Sequence, residues 1–361
     1  MLKLRIGDLE ANLAIIQGGM GVGISLAGLA SAVANEGGIG VISATGIGML
    51  ESDFNTNYKE ANQRALRKEI KKVREMTTGV IGVNIMVACS DYHDLVQVAV
   101  DEGADLVFLG AGLPLRNHIT SSLDRLRKAT TKIVPIVSSA RAAKIIFQYW
   151  GRNYNHVPDA VVVEGPLAGG HLGFKKEQIN DPDYTLEKIL PEVISTIKPY
   201  EQHFNKNIPV IAAGGIYTGA DIHKFIRLGA QGVQMATRFV ATHECDASIE
   251  FKEAYIKCKE EDLIIIDSPV GLPGRAIQNR FLEEVSLGIK EPVKCPWKCL
   301  KTCDFKKVTY CIALALTNAK KGNLEKGFAF AGANAYRTSK ICSVKRLIET
   351  LLKEYERVAA T

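Results

Sequence analysis

The sequence has no long hydrophobic run, and it lacks the features of a secreted or membrane-spanning protein. None of its apolar stretches approaches the ~18 residues that a helix needs to cross a bilayer. The first ten residues, MLKLRIGDLE, contain no apolar stretch of signal-peptide length. Eight cysteines in 361 residues are too few for the disulfide framework of a small secreted domain. We therefore expect reduced thiols, a cytoplasmic location and no contact with a membrane.

The sequence also lacks a basic stripe interleaved with aromatic residues. The net charge is +6, but the basic residues are spread among acidic ones. The densest cluster, RKEIKKVRE (67–75), also carries glutamates and is typical of a solvated helix face. We therefore expect no nucleic-acid partner and a small-molecule substrate. The sequence leaves the oligomeric state undetermined, and a homodimer is one interpretation.

Eight short apolar runs rich in β-branched residues recur along the first two thirds of the chain. Their nearly continuous apolarity, without alternation, is typical of strands buried on both faces. The runs are LAIIQ (13–17), GIGVIS (38–43), VIGVNIM (80–86), DLVFLG (105–110), KIVPIV (132–137), DAVVVE (159–164), IPVIAAG (208–214) and GVQMA (232–236).

Amphipathic segments between these runs predict helices, among them 26–38, 94–104, 142–151 and 219–230. Eight βα units favour an α/β fold, a (β/α)8 TIM barrel, whose usual size is about 250 residues. The alternative is an open doubly wound sheet, which requires a GxGxxG turn after the first strand. The turn QGGMGVGIS does not complete that pattern.

The alternation of strands and helices ends near residue 262. The segments GLPGR, CPWKCLKTC and GFAFAGANAYR follow, and SVKRLIETLLKEYERV predicts a final helix. We predict a barrel over 1–261 and a C-terminal cap or lid over 262–361 that packs on the barrel. An independent domain is not expected, because no second set of strands is apparent.

A glycine pair follows the seventh strand and small residues follow the eighth, where barrel enzymes bind phosphate. Gly214-Gly215 ends the seventh strand, and Met235-Ala236-Thr237 ends the eighth. Glycine there allows backbone N–H groups to close on an anion. The alternative is that the glycines merely form a tight turn.

Other polar residues at strand ends suit a flavin. Asn84 and Glu164 carry atoms that match the heteroatom edge of an isoalloxazine ring, and Met20 offers an apolar face. His171 lies in the glycine-rich loop EGPLAGGHLG (164–173), where an imidazole near neutral pKa suits proton abstraction or donation.

Two other classes of protein share the phosphate pocket. One is a flavin-free barrel isomerase or aldolase; no lysine at a strand end is placed for a Schiff base, which counts against the aldolase. The other is a non-catalytic sensor of a phosphate-bearing ligand, which gives His171 no role.

Five motifs in order resemble the nitronate monooxygenase family, formerly called 2-nitropropane dioxygenases. They are QGGMGVGIS, GVN, EGPLAGGHLG, PVIAAGGI and GVQMATRF. Flavin-dependent enoyl-ACP reductases share the same signature. The resemblance implies non-covalent FMN in a TIM barrel and identifies His171 as the active-site histidine. It implies that the phosphate contacts Gly214, Gly215, Ala236 and Thr237, that the ring contacts Gly19, Met20, Asn84, Glu164, Gly169 and Gly170, and that Gln234 and Met235 line the site.

The resemblance leaves two activities open. A nitronate monooxygenase oxidises nitronates or nitroalkanes with oxygen, whereas an enoyl-ACP reductase takes hydride from NAD(P)H through FMN. One departure from the family is Gly18-Gly19-Met20, where a proline usually precedes the methionine.

The segment KCPWKCLKTCDFKKVTYC contains Cys295, Cys299, Cys303 and Cys311. Spacings of four predict that the first three thiols share one helical face. An iron–sulfur cluster or zinc is one interpretation, although the usual CxxC pairs are missing. Buried free thiols are the other.

Overall fold

The computed structural model describes residues 3–115, 130–289, 295, 297–301 and 303–360. The strands are β1 (Leu4–Ile6), β2 (Leu9–Ala11), β3 (Ile15–Gln17), β4 (Gly40–Ser43), β5 (Ile81–Met86), β6 (Leu106–Gly110), β7 (Lys132–Val137), β8 (Val161–Glu164), β9 (Gly170–His171), β10 (Val210–Ala213), β11 (Gly232–Met235), β12 (Leu263–Asp267) and β13 (Pro273–Ile277).

The described helices include all four that were predicted between the strands. They are α1 (Ala27–Asn35), α2 (Tyr58–Met76), α3 (Tyr92–Asp101), α4 (Ala140–Tyr154), α5 (Leu186–Phe204), α6 (Gly219–Arg227), α7 (Thr237–Val240), α8 (Ile249–Lys257), α9 (Arg280–Ser286), α10 (Ile312–Lys320) and α11 (Val344–Ala359). The final helix predicted at the C-terminus is α11.

Eight parallel strands form the predicted (β/α)8 barrel. Their order is β3-β11-β10-β8-β7-β6-β5-β4. A parallel bridge between Ile16 and Ile39 joins the two ends of this sheet, with Gln17 N–H donating to the Ile39 carbonyl over 3.0 Å. The ring therefore closes between β3 and β4, and the open doubly wound sheet is excluded.

The barrel interior is a packed apolar core. Side chains from several of the barrel strands, such as Ile16, Phe108 and Val162, are fully buried there. The antiparallel hairpin β1–β2 contributes Leu4 and Ile6 to the same cluster. Because the interior is filled, any ligand must bind at the mouth of the barrel.

The C-terminal segment contains strands that the sequence did not predict. β12 and β13 form an antiparallel hairpin, and β13 also pairs with β9 in the loop after β8. The expectation that no further strands exist after residue 262 was therefore wrong. The hairpin escaped detection because the sequence of β13, PGRAI, contains proline, glycine and arginine in place of an apolar run. The division at residue 262 stays a prediction.

No helix within the described ranges is long and apolar enough to cross a membrane.

We predict that Gly40→Ala destabilises the protein while Gly151→Ala does not. A Cβ at Gly40 would stand 1.9 Å from the Ala30 carbonyl oxygen, so β4 and α1 must separate. Overpacking of this kind costs roughly 1–3 kcal/mol or more. A Cβ at Gly151 within α4 meets the Phe204 ring at 3.4 Å, an ordinary contact, and alanine favours a helix by up to about 1 kcal/mol.

The free energy of unfolding, measured by denaturant titration, compares the two variants with the parent. Equal stability of both would contradict the close packing of α1 on β4.

Candidate active site

A buried glutamine shapes the loop after β3. Gln17 is fully buried, its Nε2 donates to the Gly18 carbonyl (2.6 Å) and to Ser25 Oγ (3.1 Å), and its Oε1 accepts from Val41 N–H (3.0 Å). Ser25 Oγ in turn accepts from Met20 N–H over 3.0 Å. This network fixes the Gly18–Met20 loop at the barrel mouth without the proline that the family usually has.

An arginine of the cap holds the loop between β8 and β9. Arg275 is 5% exposed, and its Nη1 donates to the carbonyls of Pro166 (2.6 Å) and Ala168 (2.8 Å). Charge-assisted hydrogen bonds of this kind are stronger than neutral ones. The C-terminal segment therefore fixes the course of the glycine-rich loop.

His171 lies at the cavity wall and contacts the cap through its ring. Its Nε2 lies 2.7 Å from Ser268 Oγ, and its ring packs edge-on against Phe330 with centroids 5.0 Å apart. Burial lowers the pKa of His171 to about 4, so the imidazole is neutral at physiological pH. Nδ1 has no protein hydrogen-bond partner among the described residues and remains for a ligand.

Three polar side chains lie at or near the carboxyl ends of the barrel strands β4, β5 and β8. Ser43 is 1% exposed, and its Oγ has no hydrogen-bond partner. The Asn84 carboxamide and the Glu164 carboxyl also make no hydrogen bond within the described part of the chain, and burial raises the pKa of Glu164 to about 7. Unpaired buried polar groups are costly, so these groups fit the heteroatom edge of a bound flavin.

The turn after β10 exposes backbone donors. Gly214 and Gly215 adopt φ angles of 90° and 86°, in the left-handed region that favours glycine. No acceptor for their N–H groups lies in the described ranges. Asn334 Nδ2 donates to the Gly215 carbonyl (2.7 Å), and Thr237 Oγ1 accepts from Gly332 N–H (3.3 Å). The open donors suit a phosphate, and cap residues fix this end of the site.

All thirteen site residues predicted from the sequence line one cavity at the mouth of the barrel. Their binding roles remain predictions. The predicted residues are Gly19, Met20, Asn84, Glu164, Gly169, Gly170, His171, Gly214, Gly215, Gln234, Met235, Ala236 and Thr237.

The sequence did not single out several further lining residues. Ser43 ends the second barrel strand, and this position is a signal that could have identified it. Phe251, Tyr255, Leu316 and Phe330 form an apolar part of the wall, and no local pattern links them to the site. Gly169 serves packing, since a Cβ there would stand 2.5 Å from Gly332 N.

The expected helix through the first three clustered cysteines is absent from the described residues of that segment, so this prediction was wrong. No group of three or more His, Cys, Asp or Glu side chains in the described part of the chain is placed to hold a metal ion. The thiols are free in this structure.

A barrel mouth with open glycine turns, unpaired polar groups and a neutral imidazole is typical of flavin-dependent oxidoreductases, and comparison with known proteins places the chain in that class. The nitronate monooxygenase family model matches residues 5–99 and 88–354. The chain belongs to the nitronate monooxygenase family.

Individual relatives agree with this membership. A probable nitronate monooxygenase of Staphylococcus aureus (strain N315) is 29% identical over 304 residues, covering 75% of this chain and 77% of the relative. The structure of FabK from Thermotoga maritima is 29% identical with a TM-score of 0.74, covering 97% of this chain and 94% of FabK. Nitroalkane oxidase from Streptomyces ansochromogenes, at 24% identity, TM-score 0.73 and coverages of 97% and 98%, shares the fold.

We predict that Glu164→Gln stabilises the flavin-free protein at alkaline pH. Because the folded-state pKa is raised from 4.5 to about 7, the stability associated with the protonated carboxyl is full below about pH 4.5 and lost as pH rises through about 7. Glutamine carries no charge, so the variant should exceed the parent by roughly 2–3 kcal/mol near pH 8. The difference should be small near pH 5.

Thermal unfolding across this pH range tests the prediction. Glu356→Gln, at an exposed position of α11, is the control and should follow the parent at every pH. Parallel curves for Glu164→Gln and the parent would contradict a carboxyl held in an apolar site.

Proposed function

We propose that this chain is an FMN-dependent nitronate monooxygenase, which oxidises nitronates or nitroalkanes with oxygen. The observation that carries the proposal is the neutral imidazole of His171, held by Ser268 at the wall of a cavity whose polar groups lack partners. Family membership supports the same activity. The flavin chemistry of the family gives no support to the flavin-free isomerase or the sensor.

Each end of the cavity would hold one part of FMN in this proposal. The open N–H donors of Gly214 and Gly215, next to Ala236 and Thr237, would hold the phosphate. Met20 would contact the ring, and Asn84 and Glu164 would hydrogen-bond its heteroatom edge. Bound FMN would supply the electron acceptor for the substrate, and oxygen would reoxidise it. Gly19, Gly169, Gly170, Gln234 and Met235 line the remaining wall.

His171 accepts the proton of a neutral nitroalkane. Because Ser268 occupies Nε2, the ring is held in one orientation and Nδ1 is the nitrogen available to the substrate. A pKa of about 4 leaves the ring unprotonated at neutral pH, so the lone pair of Nδ1 is free to face the acidic C–H of the substrate. A nitronate has already lost this proton and needs only to be positioned. A homodimer and a cytoplasmic location stay predictions.

A second candidate is an NAD(P)H-dependent FMN enoyl thioester reductase. The observation that favours it is the apolar wall formed by Phe251, Tyr255, Leu316 and Phe330, which suits an acyl chain. In this activity NAD(P)H reduces the flavin, and His171 assists reduction of the enoyl group.

We predict that His171→Ala lowers kcat/KM for a neutral nitroalkane by about 10²- to 10⁴-fold, because the variant loses its proton acceptor. The loss should be much smaller with the preformed nitronate. Oxygen uptake measures both reactions, and the FMN content of each variant is determined alongside. His203→Ala, at an exposed position of α5, is the control. Equal losses on both substrates would assign His171 to binding and not to proton transfer.

We predict that NADH or NADPH does not reduce the flavin rapidly. Anaerobic mixing of purified protein with either nucleotide is followed by the oxidised-flavin absorbance, with a nitronate as the positive control. A nitronate should bleach the flavin within the mixing experiment. Rapid bleaching by a nicotinamide, with none by the nitronate, would replace the proposed activity with that of the enoyl reductase.

A further inference from the structure

Two arginine side chains lie over the ring of one buried tyrosine near the turn after β10. The Cζ atoms of Arg238 and Arg337 lie 4.4 Å and 4.6 Å from the centroid of the Tyr217 ring. Tyr217 is 6% exposed, and its Oη lies 3.1 Å from Thr338 Oγ1 of the cap. We refer to Tyr217, Arg238 and Arg337 as the arginine–tyrosine cluster.

The barrel part of this cluster adjoins the turn whose open N–H donors suit a phosphate. Tyr217 follows Gly215 by two residues, and Arg238 directly follows Thr237. Arg238 Nη1 donates to the Tyr217 carbonyl over 3.1 Å. The side chain of Arg238 therefore joins the loop after β10 to the helix α7 that follows β11.

The cap segment that carries Arg337 is bonded to the same two loops. Asn334, three residues before Arg337, donates from Nδ2 to the Gly215 carbonyl over 2.7 Å. Gly332 N–H donates to Thr237 Oγ1 over 3.3 Å. These bonds fix the position of Arg337 relative to the end of the cavity where the phosphate is expected.

The positive charges of the cluster are not neutralised by the protein. Within the part of the chain that the structure describes, neither Arg238 nor Arg337 forms an ion pair with a carboxylate. Asp221, the acid closest in sequence to Tyr217, accepts instead from the backbone N–H groups of Tyr217 (3.0 Å) and Thr218 (2.8 Å) at the start of α6. Guanidinium groups keep their charge at physiological pH, and two like charges over one ring repel each other. An anion nearby would relieve this repulsion.

The cavity wall offers no cation of its own to a phosphate. Its lining residues, counted over the described ranges, include neither lysine nor arginine. The backbone N–H groups of Gly214 and Gly215 carry only partial charges, whereas a phosphate monoester carries a charge of about −1.5 to −2 at pH 7. The compensating charge must therefore come from side chains behind the wall.

We propose that the arginine–tyrosine cluster supplies the positive charge that holds the phosphate of FMN, so that the site selects FMN over riboflavin. The inference rests on the proposed FMN and not on the substrate that the flavin oxidises. Arg238 also holds the Tyr217 carbonyl and thereby fixes the turn. Arg337 acts through its charge, which reaches a neighbouring phosphate within the Debye length of about 8 Å at physiological ionic strength.

The test compares the binding of FMN with that of riboflavin, which lacks only the phosphate. Full-length protein freed of flavin is titrated with each compound, and the change in flavin fluorescence gives the two dissociation constants. The parent should bind FMN more tightly. Arg337→Gln should lower the ratio of the riboflavin Kd to the FMN Kd about threefold, and the double variant Arg238→Gln/Arg337→Gln about tenfold, as partly screened charges would.

Two further variants separate charge from other effects. Arg337→Lys keeps the positive charge and should keep most of the preference for FMN. Arg227→Gln is the control, because it removes the same charge from the exposed C-terminal end of α6, at the opposite end of the barrel from the mouth. Added potassium chloride should reduce the preference of the parent more than that of the double variant, because salt screens the charges.

Thermal unfolding of the flavin-free proteins provides a second measurement. Arg337 is exposed, so its replacement should leave the fold intact. Inorganic phosphate, at an ionic strength matched with chloride, should raise the unfolding midpoint of the parent more than that of Arg337→Gln. A preference for FMN that is unchanged in the double variant would overturn the proposal and leave FMN as the cofactor. Equal binding of FMN and riboflavin by the parent would reject both this inference and the proposed FMN.

Discussion

Closure of the strand ring between β3 and β4 is the constraint on which the site depends. β3 and β4 stand at the two ends of the eight-stranded order, and the hydrogen bonds around the Ile16–Ile39 bridge join them. Only in a closed ring do the carboxyl ends of β4, β5, β8 and β10 face one space. Ser43, Asn84 and Glu164, which are distant in sequence, thereby present unpaired polar groups to one cavity.

Residues of the C-terminal cap fix three parts of the site that the barrel strands do not hold by themselves. Arg275 fixes the loop after β8 through two carbonyls, Ser268 orients the imidazole of His171, and Asn334 fixes the turn at Gly215. Burial makes ionisation of Glu164 and protonation of His171 unfavourable.

The barrel was predictable because its strands are continuous apolar runs, and position at a strand end was enough to select Asn84 and Glu164. Helix α5 was not singled out, since Pro191 and Pro199 interrupt its pattern. The hairpin β12–β13 was missed because β13, PGRAI, contains proline, glycine and arginine in place of an apolar run. Ser268 was missed for a related reason: nothing local to it shows that its hydroxyl lies beside an imidazole 97 residues earlier. Contacts that form only when distant segments pack together produce no periodic pattern in the amino-acid sequence.

The two-residue strand β9 has a consequence for the order in which the enzyme matures. A strand this short is stable only when β13 pairs with it, at Gly274 opposite His171 and Arg275 opposite Gly170. During translation, all eight barrel strands are synthesised before residue 274. The strands of the barrel are thus available before the strand that pairs with β9. The side chain of His171 becomes oriented for catalysis only after the last quarter of the chain has been synthesised.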